Sequence, residues 1–344
     1  MPSRIEIDKS AGPVRRWLQY ALYDWTREMP KSKRLITWVG ILIQGWAIWA
    51  GISRSLIWPR RWPENGLLLL FDVWLLYILG SGILKAMLTS EFLRKTQLES
   101  DQIAAQQIQK TLQPEKLEEL AGYETEVFYK PFREVGGDYF DVMELPGNRT
   151  LFALADVSGK GMPAALLASN IQALVRSLAN VEADPVALAR QINAHLNRYT
   201  PTNRFATAVF IVLNRDSGDL TYVNAGHNAP ILFSSGSTTS LEATGLPIGL
   251  MSGAEYQAGK GLVPPGGTLL LYTDGLTDSI PGDEPEARLR AAISDSPQKT
   301  LSNIKSLIDQ KFNEDDVTIL LVKRCDRQAV GFSNVPLQQR APGF

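Results

Sequence analysis

The chain has 344 residues, a formal net charge of -1, one cysteine and two histidines. The near-neutral balance offers no bulk basic field for nucleic acid. A lone Cys325 excludes an intrachain disulfide, a CxxC redox pair and Cys/His zinc spacing, and fits a reducing compartment for the folded part.

In chain order, residues 1–34 form a basic segment carrying Arg4, Lys9, Arg15, Arg16, Arg27, Lys31, Lys33 and Arg34. Two apolar runs follow. Leu35–Ile52 is uncharged, and Gly66–Leu84 holds a single acid, Asp72. Each matches the roughly 17–25 residues that span a bilayer, and Trp38, Trp46, Trp49, Trp58, Trp62 and Trp74 crowd the region as interfacial belts do. The basic residues before the first run, and Lys85, Arg94 and Lys95 after the second, favour both ends inside with the loop around Pro63 outside. The reading is a two-helix transmembrane hairpin over 35–88. It makes the protein a multi-pass component of the plasma (inner) membrane with its folded domain in the cytoplasm. The first run starts too late and is too long for a cleaved signal peptide. Asp72, at about 2.5–3.5 kcal/mol on insertion scales, argues for the competing reading, a buried helical hairpin of a soluble protein.

Residues 89–114 read as a helical linker rich in Gln, Glu, Lys and Ala, ended by Pro114. Leu98, Ala105, Ile108 and Leu112 give a partial heptad seam that Asp101 interrupts. The segment fits either a homodimeric coiled linker or a single solvated helix.

Residues 115–325 read as one α+β domain. Strand patterns occur at "ETEVFYKP", "DYFDVMEL", "RTLFALAD", "FATAVFIVLN", "DLTYVNAG", "GTLLLYTD" and "DVTILLVKR", separated by turn signals such as Pro146-Gly147-Asn148. Helical patterns fall at about 163–180, 185–198, 284–294 and 298–312. Helices grouped between runs of strands indicate α+β order and not βαβ alternation. Residues 326–344 show little periodicity and read as a loose tail.

Four carboxylate sites share one context. Asp138 follows a glycine pair in "EVGGDYFD". Asp156 ends the apolar run of "FALADVSGKG", and Asp274 ends that of "LLLYTDGLTD". Asp315 and Asp316 open the apolar run of "EDDVTILLV". Singly, such acids are turn residues. Together they suggest a cluster that repels itself unless a hard cation sits within it, and oxygen donors suit Mg²⁺, Mn²⁺ or Ca²⁺ better than zinc.

The motifs "EVGGDYFD", "DVSGKGMPAAL", "FATAVF", "NAGHNAP", "GLPIGL", "YTDGLTD" and "DDVTILLV", in this order and spacing, resemble the metal-dependent (PPM, type 2C) protein phosphatases, and within them the bacterial SpoIIE-type branch. The likeness covers roughly residues 106–324, including "QQIQKTLQP". It implies an antiparallel β-sandwich flanked by helices, a site for two Mn²⁺ or Mg²⁺ ions, and phosphoserine/phosphothreonine hydrolysis by an activated water. By motif, Asp156 would bridge the ions and Val157 would offer its carbonyl. Asp274 and Asp315 would hold one ion, with Asp138 close and Asp316 in support. The substrates implied are phosphorylated regulatory proteins such as anti-sigma-factor antagonists.

No GxSxG elbow or Walker loop is present, so neither a serine nucleophile nor an ATPase or kinase has support. His227 and His195 read as structural. Arg133, five residues before Asp138, suits either bidentate phosphate binding or a surface salt bridge. Lys160 stands where relatives carry Lys or His. Pro285 departs from the relatives' Phe-Gly pattern after "TDGLTDS". The competing function is a catalytically silent membrane scaffold that uses the same fold for binding.

Overall fold

The computed structural model describes residues 31–57, 66–113, 119–179, 184–201, 203–234, 236–309, 311–312 and 314–326. The N-terminal basic segment up to residue 30, the expected outside loop with Trp58, Trp62 and Pro63, Pro114, the tail beyond 326 and the side chain of Asp72 lie outside the description. The chain divides into two compact units, 1–100 and 101–344.

In the first unit, helix α1 spans Lys31–Ile57 and helix α2 begins at Gly66 and runs on to Leu112. The two approach closely at glycines. A Cβ at Gly80 would lie 3.1 Å from the Gln44 side chain and 3.5 Å from the Gly40 carbonyl, the small-residue contact that lets apolar helices meet without a water-driven core. The large apolar side chains point outward, with Leu35, Leu42, Trp49, Phe71, Trp74 and Leu79 all more than half exposed. Among the described residues one helix, over Trp74–Leu112, is long and apolar enough to cross a membrane. Where two spans are expected, the described residues offer one candidate.

The second unit is built from β1 (Tyr123–Lys130), β2 (Asp138–Leu145), β3 (Arg149–Val157), α3 (Met162–Ala179), α4 (Pro185–Tyr199), β4 (Ala206–Asn214), β5 (Asp219–Ala225), β6 (Ile231–Ser234), β7 (Ser237–Ser240), β8 (Gly259–Leu262), β9 (Thr268–Tyr272), α5 (Asp274–Asp278), α6 (Pro285–Ala292), α7 (Pro297–Leu307) and β10 (Val317–Arg324). All seven expected strands and all four expected helices are present. The short β6, β7 and β8 are additional, being too brief and too Ser-, Thr- or Gly-rich to show a pattern.

The strands form two five-stranded sheets, β1-β10-β9-β6-β7 and β2-β3-β4-β5-β8, with every strand pair antiparallel. Strand alternation sorts the side chains into three apolar layers. Phe140, Phe152, Leu154, Val209 and Ile211 meet Leu269, Leu271, Leu320 and Val322 between the sheets. Tyr139, Ala153, Ala155, Val157 and Phe210 face α3 and α4 on the other side of the second sheet. Leu270, Tyr272, Ile319 and Leu321 face α6 and α7 beyond the first. Burial on both faces explains why β3, β4, β9 and β10 read as continuous apolar runs and not as alternating ones.

Candidate metal centre

The same alternation places the acids. On β2, Phe140 points between the sheets, so Asp138 two residues earlier points there too, while Tyr139 and Asp141 turn toward α3. Asp141 is buried there, accepts from the Tyr139 hydroxyl at 3.2 Å and pairs with Arg176 Nε of α3 at 2.6 Å. On β3, Asp156 has the parity of Phe152 and Leu154 and also faces the gap. Asp138 and Asp156 are direct partners in the β2–β3 register. On the other sheet, Asp274 follows β9 at the start of α5, and Asp315 and Asp316 precede β10. Two carboxylates from one sheet and three from the other thus meet at one edge of the sandwich.

Two threonines tie the sheets together at this edge. Thr273 shares the parity of Leu271, and Thr318 that of Leu320, so both hydroxyls enter the gap. Both donate to Asp138 Oδ2, at 2.9 Å from Thr273 and 2.5 Å from Thr318. Asp316 has a different duty. Its Oδ1 accepts from the Phe132 amide at 2.7 Å and its Oδ2 from the Gly137 amide at 2.5 Å, so both oxygens brace the 132–137 segment.

This bracing explains the glycine pair. A Cβ at Gly136 would overlap the Tyr129 hydroxyl and lie 2.8 Å from Asp316 Oδ2, and one at Gly137 would lie 3.2 Å from the Val157 carbonyl oxygen. The bare backbone makes room for Asp316 and for the Val157 carbonyl. Gly275 answers to the same demand, since a Cβ there would overlap the Asp316 carbonyl oxygen. Gly136 is further held by Gln109 of α2. Its amide donates to Gln109 Oε1 at 3.1 Å, and its carbonyl accepts from Gln109 Nε2 at 2.7 Å. Gln172 of α3 donates to the Leu112 carbonyl at 2.5 Å, so the C-terminal turns of α2 are fastened beside the acids.

The acids are strained electrostatically. Burial first, then Asp156 and Asp316, push the Asp138 carboxyl well above the usual range, against the two threonine donors. Burial, followed by Asp274, Asp315 and Asp316, pushes Asp156 up to about 7. Burial and then Asp315 raise Asp274. Burial likewise raises Asp316, against its backbone donors. Among the described residues no three His, Cys, Asp or Glu side chains are gathered tightly enough to hold an ion as they stand. Lys160 holds Asp315 at 2.7 Å from its Nζ. The donor set nonetheless fits hard divalent cations. It is all oxygen, excess in negative charge, and includes a backbone carbonyl kept open by a glycine.

The remaining expected residues take clear positions. Arg133 is exposed, with its guanidinium beside Gly161 in the loop after Asp156, where a Cβ would be 3.8 Å from Nη1. It makes no ion pair among the described residues. His227 is buried and bonded through Nδ1 to the Thr207 hydroxyl at 2.8 Å, and its backbone amide donates to Asn224 Oδ1. Burial lowers its pKa to about 4, which keeps it neutral and fits the structural reading. His195 packs against Tyr199 one turn along α4, with ring centres 4.8 Å apart and planes tilted by 49°. Pro285 opens α6 at its first position, where a missing N–H costs nothing. Sequence reasoning passed over Thr273, Thr318, Gln109 and the bond of Lys160. Thr273 sits beside Asp274 and Thr318 two residues after Asp316, so strand parity applied to the acids' neighbours would have found both.

The family model described as "Stage II sporulation protein E (SpoIIE)" matches residues 146–325, just over half of the chain. Among curated proteins, the chain is 28% identical over 256 residues to "Protein IcfG" of Synechocystis sp. (strain ATCC 27184 / PCC 6803 / Kazusa), covering 63% of this chain and 40% of IcfG. It is 26% identical over 239 residues to "Phosphoserine phosphatase RsbU" of Bacillus subtilis (strain 168), covering 66% of this chain and 71% of RsbU. Among solved structures it is similar to the RsbU and RsbW domains of Rv1364c from Mycobacterium tuberculosis, with 26% identity, a TM-score of 0.54, and coverage of 60% of this chain and 62% of that one. The SiaA-PP2C domain of Pseudomonas aeruginosa shares the fold at 20% identity, with a TM-score of 0.59 and coverage of 68% and 99%. The chain therefore spans less than half the length of IcfG.

Proposed function

The chain belongs to the stage II sporulation protein E family, and from that premise we propose that it is a metal-dependent phosphatase acting on phosphoserine or phosphothreonine of a regulatory protein. The observation that carries this reading is the meeting of Asp138 and Asp156 from one sheet with Asp274 and Asp315 from the other at a single edge. The name of RsbU as a phosphoserine phosphatase supports the reaction. An anti-sigma-factor antagonist is the kind of substrate we infer.

Asp156, the Val157 carbonyl, Asp274 and Asp315 would hold two ions, Mn²⁺ or Mg²⁺, with Asp138 alongside. Bound there, the ions would supply charge neutralisation for the phosphoryl oxygens and an activated water for attack on phosphorus. The protein's own residues do the rest. Thr273 and Thr318 orient the Asp138 carboxylate. Asp316 fixes the backbone under the site, and so serves as a brace in preference to a ligand. Arg133 would grip the phosphate: its guanidinium stands beside Gly161 in the loop after Asp156, and its fork geometry suits that anion. The histidines take no proton-transfer role in this scheme.

The outward apolar faces of α1 and α2 support a membrane anchor over 35–88, with the catalytic domain, 115–325, in the cytoplasm. Exposed apolar surface of that extent needs a partner phase. The reaction is tested by phosphate release from a phosphoserine protein or p-nitrophenyl phosphate, with and without Mn²⁺. No metal-dependent turnover would leave the silent scaffold as the better reading. The anchor is tested by fractionation, where release by alkaline carbonate would reject it, and by a reporter at Pro63, where a cytoplasmic signal would reject the hairpin.

A further inference from the structure

Lys160 is a side chain beside the acids whose position none of the assigned roles explains. Its Nζ lies 2.7 Å from Asp315 Oδ2 and donates to the Glu314 carbonyl at 2.5 Å, and it sits 5.4 Å from the centre of the Phe132 ring. Its charge also acts on Asp156 and Asp274. The loop that carries it is shaped to deliver it. Gly159 and Gly161 on either side adopt φ of 99° and 74°, a region that side-chain-bearing residues avoid, and Arg204 Nη1 donates to the Ser158 carbonyl at 2.9 Å. The side chain as a whole is about two-fifths exposed, so it can swing into water without unfolding anything.

We propose that Lys160 is a built-in counter-ion that competes with the divalent cation for Asp315 and so sets the cation concentration at which the centre assembles. The inference rests on the metal-dependent reading above. Two independent observations meet in it. Acids from both sheets converge at one edge, and among the described residues the one of them drawn into an ion pair is Asp315. An ammonium satisfies one carboxylate with a single charge. A divalent ion must collect several oxygens at once, and it obtains the Asp315 oxygen only when Lys160 releases it. Released, the side chain stays tethered by its loop at the rim of the site. Lys160 thus acts as a positioning residue, through Asp315.

Calorimetric titration of the full-length, detergent-purified protein with Mn²⁺, in the absence of substrate, tests this. K160M should bind Mn²⁺ about three- to fivefold more tightly than the wild type, the shift expected when a partly exposed ion pair no longer competes. K160R, which keeps the charge, should stay within about twofold of the wild type. K160Q repeats the neutral substitution with a polar end, and it carries the comparison if K160M lacks a cooperative melting transition. Unchanged or weaker Mn²⁺ binding in the folded neutral variant would overturn the proposal and make Lys160 a simple staple between loops. An absence of Mn²⁺ binding in the wild type would overturn the metal reading and this proposal together, which distinguishes the two failures.

Discussion

Asp138 and Asp156 stand directly opposite one another on β2 and β3, two carboxylates on the same face of adjacent antiparallel strands. Like charges in that relationship destabilise a sheet, and burial sharpens the cost. A fold keeps such a pair only where a cation or a proton relieves it.

The pair therefore makes stability depend on pH in a defined direction. Asp156 is raised from its ordinary 3.8 to about 7 in the folded protein. Between those values the native state binds more protons than the unfolded chain, so its contribution is complete below about 4 and falls as pH rises to about 7. Without divalent ions, the wild type should lose melting temperature relative to D156N across that window. Mn²⁺ should stabilise the wild type more at pH 7.5 than at pH 5. Equal Mn²⁺ shifts at both pH values would contradict this.

Replacing a proposed ligand separates activity from folding. D156N and D274N should lose at least about 100-fold in turnover, as expected when the ion that activates water is no longer held. At pH 7.5 the metal-free D156N should melt above the metal-free wild type, because the repulsion is gone. Circular dichroism and phosphate release on the same samples decide the matter, and loss of secondary structure with activity would make these acids structural.

Gln109 clasps both backbone groups of Gly136, and each such bond contributes about 0.5–1.5 kcal/mol. Q109A should lower turnover at saturating Mn²⁺ without altering any acid, and the Gly136 amide should exchange faster with solvent. Unchanged exchange and turnover would make the clasp incidental.

Gly275 should resist substitution. A Cβ there would overlap the Asp316 carbonyl oxygen and stand 3.0 Å from its carbon. Overpacking against backbone typically costs about 1–3 kcal/mol. G275A should lower the melting temperature and disturb the site through Asp315 and Asp316, read by denaturant unfolding beside an activity assay.

Ile108 and Leu112 are exposed on the last turns of α2, at 63% and 40%, the positions of the partial heptad seam. We propose that they meet a second copy. Substituting both with Ser should reduce the sedimenting mass of the full-length protein in detergent and lower its turnover. Unchanged mass and turnover would make the linker a passive tether.

Much of the fold is legible in the sequence because it depends on local rules. Alternation and apolar runs marked the seven long strands. Four helices showed their own period, and length with composition marked the apolar N-terminal region. The recurrence of aspartate at strand ends marks Asp138, Asp156, Asp274 and Asp315. Register and packing decided what local rules cannot reach. That Asp138 opposes Asp156 follows from the pairing of β2 with β3. That Thr273 and Thr318 serve Asp138 follows from one sheet lying over the other. Asp315 and Asp316 are neighbours in sequence, yet Asp316 binds two backbone amides while Asp315 meets Lys160. Residue type and spacing limit which chemistry is available, whereas the direction and partners of each side chain depend on segments more than a hundred residues away that only the packed sandwich brings together.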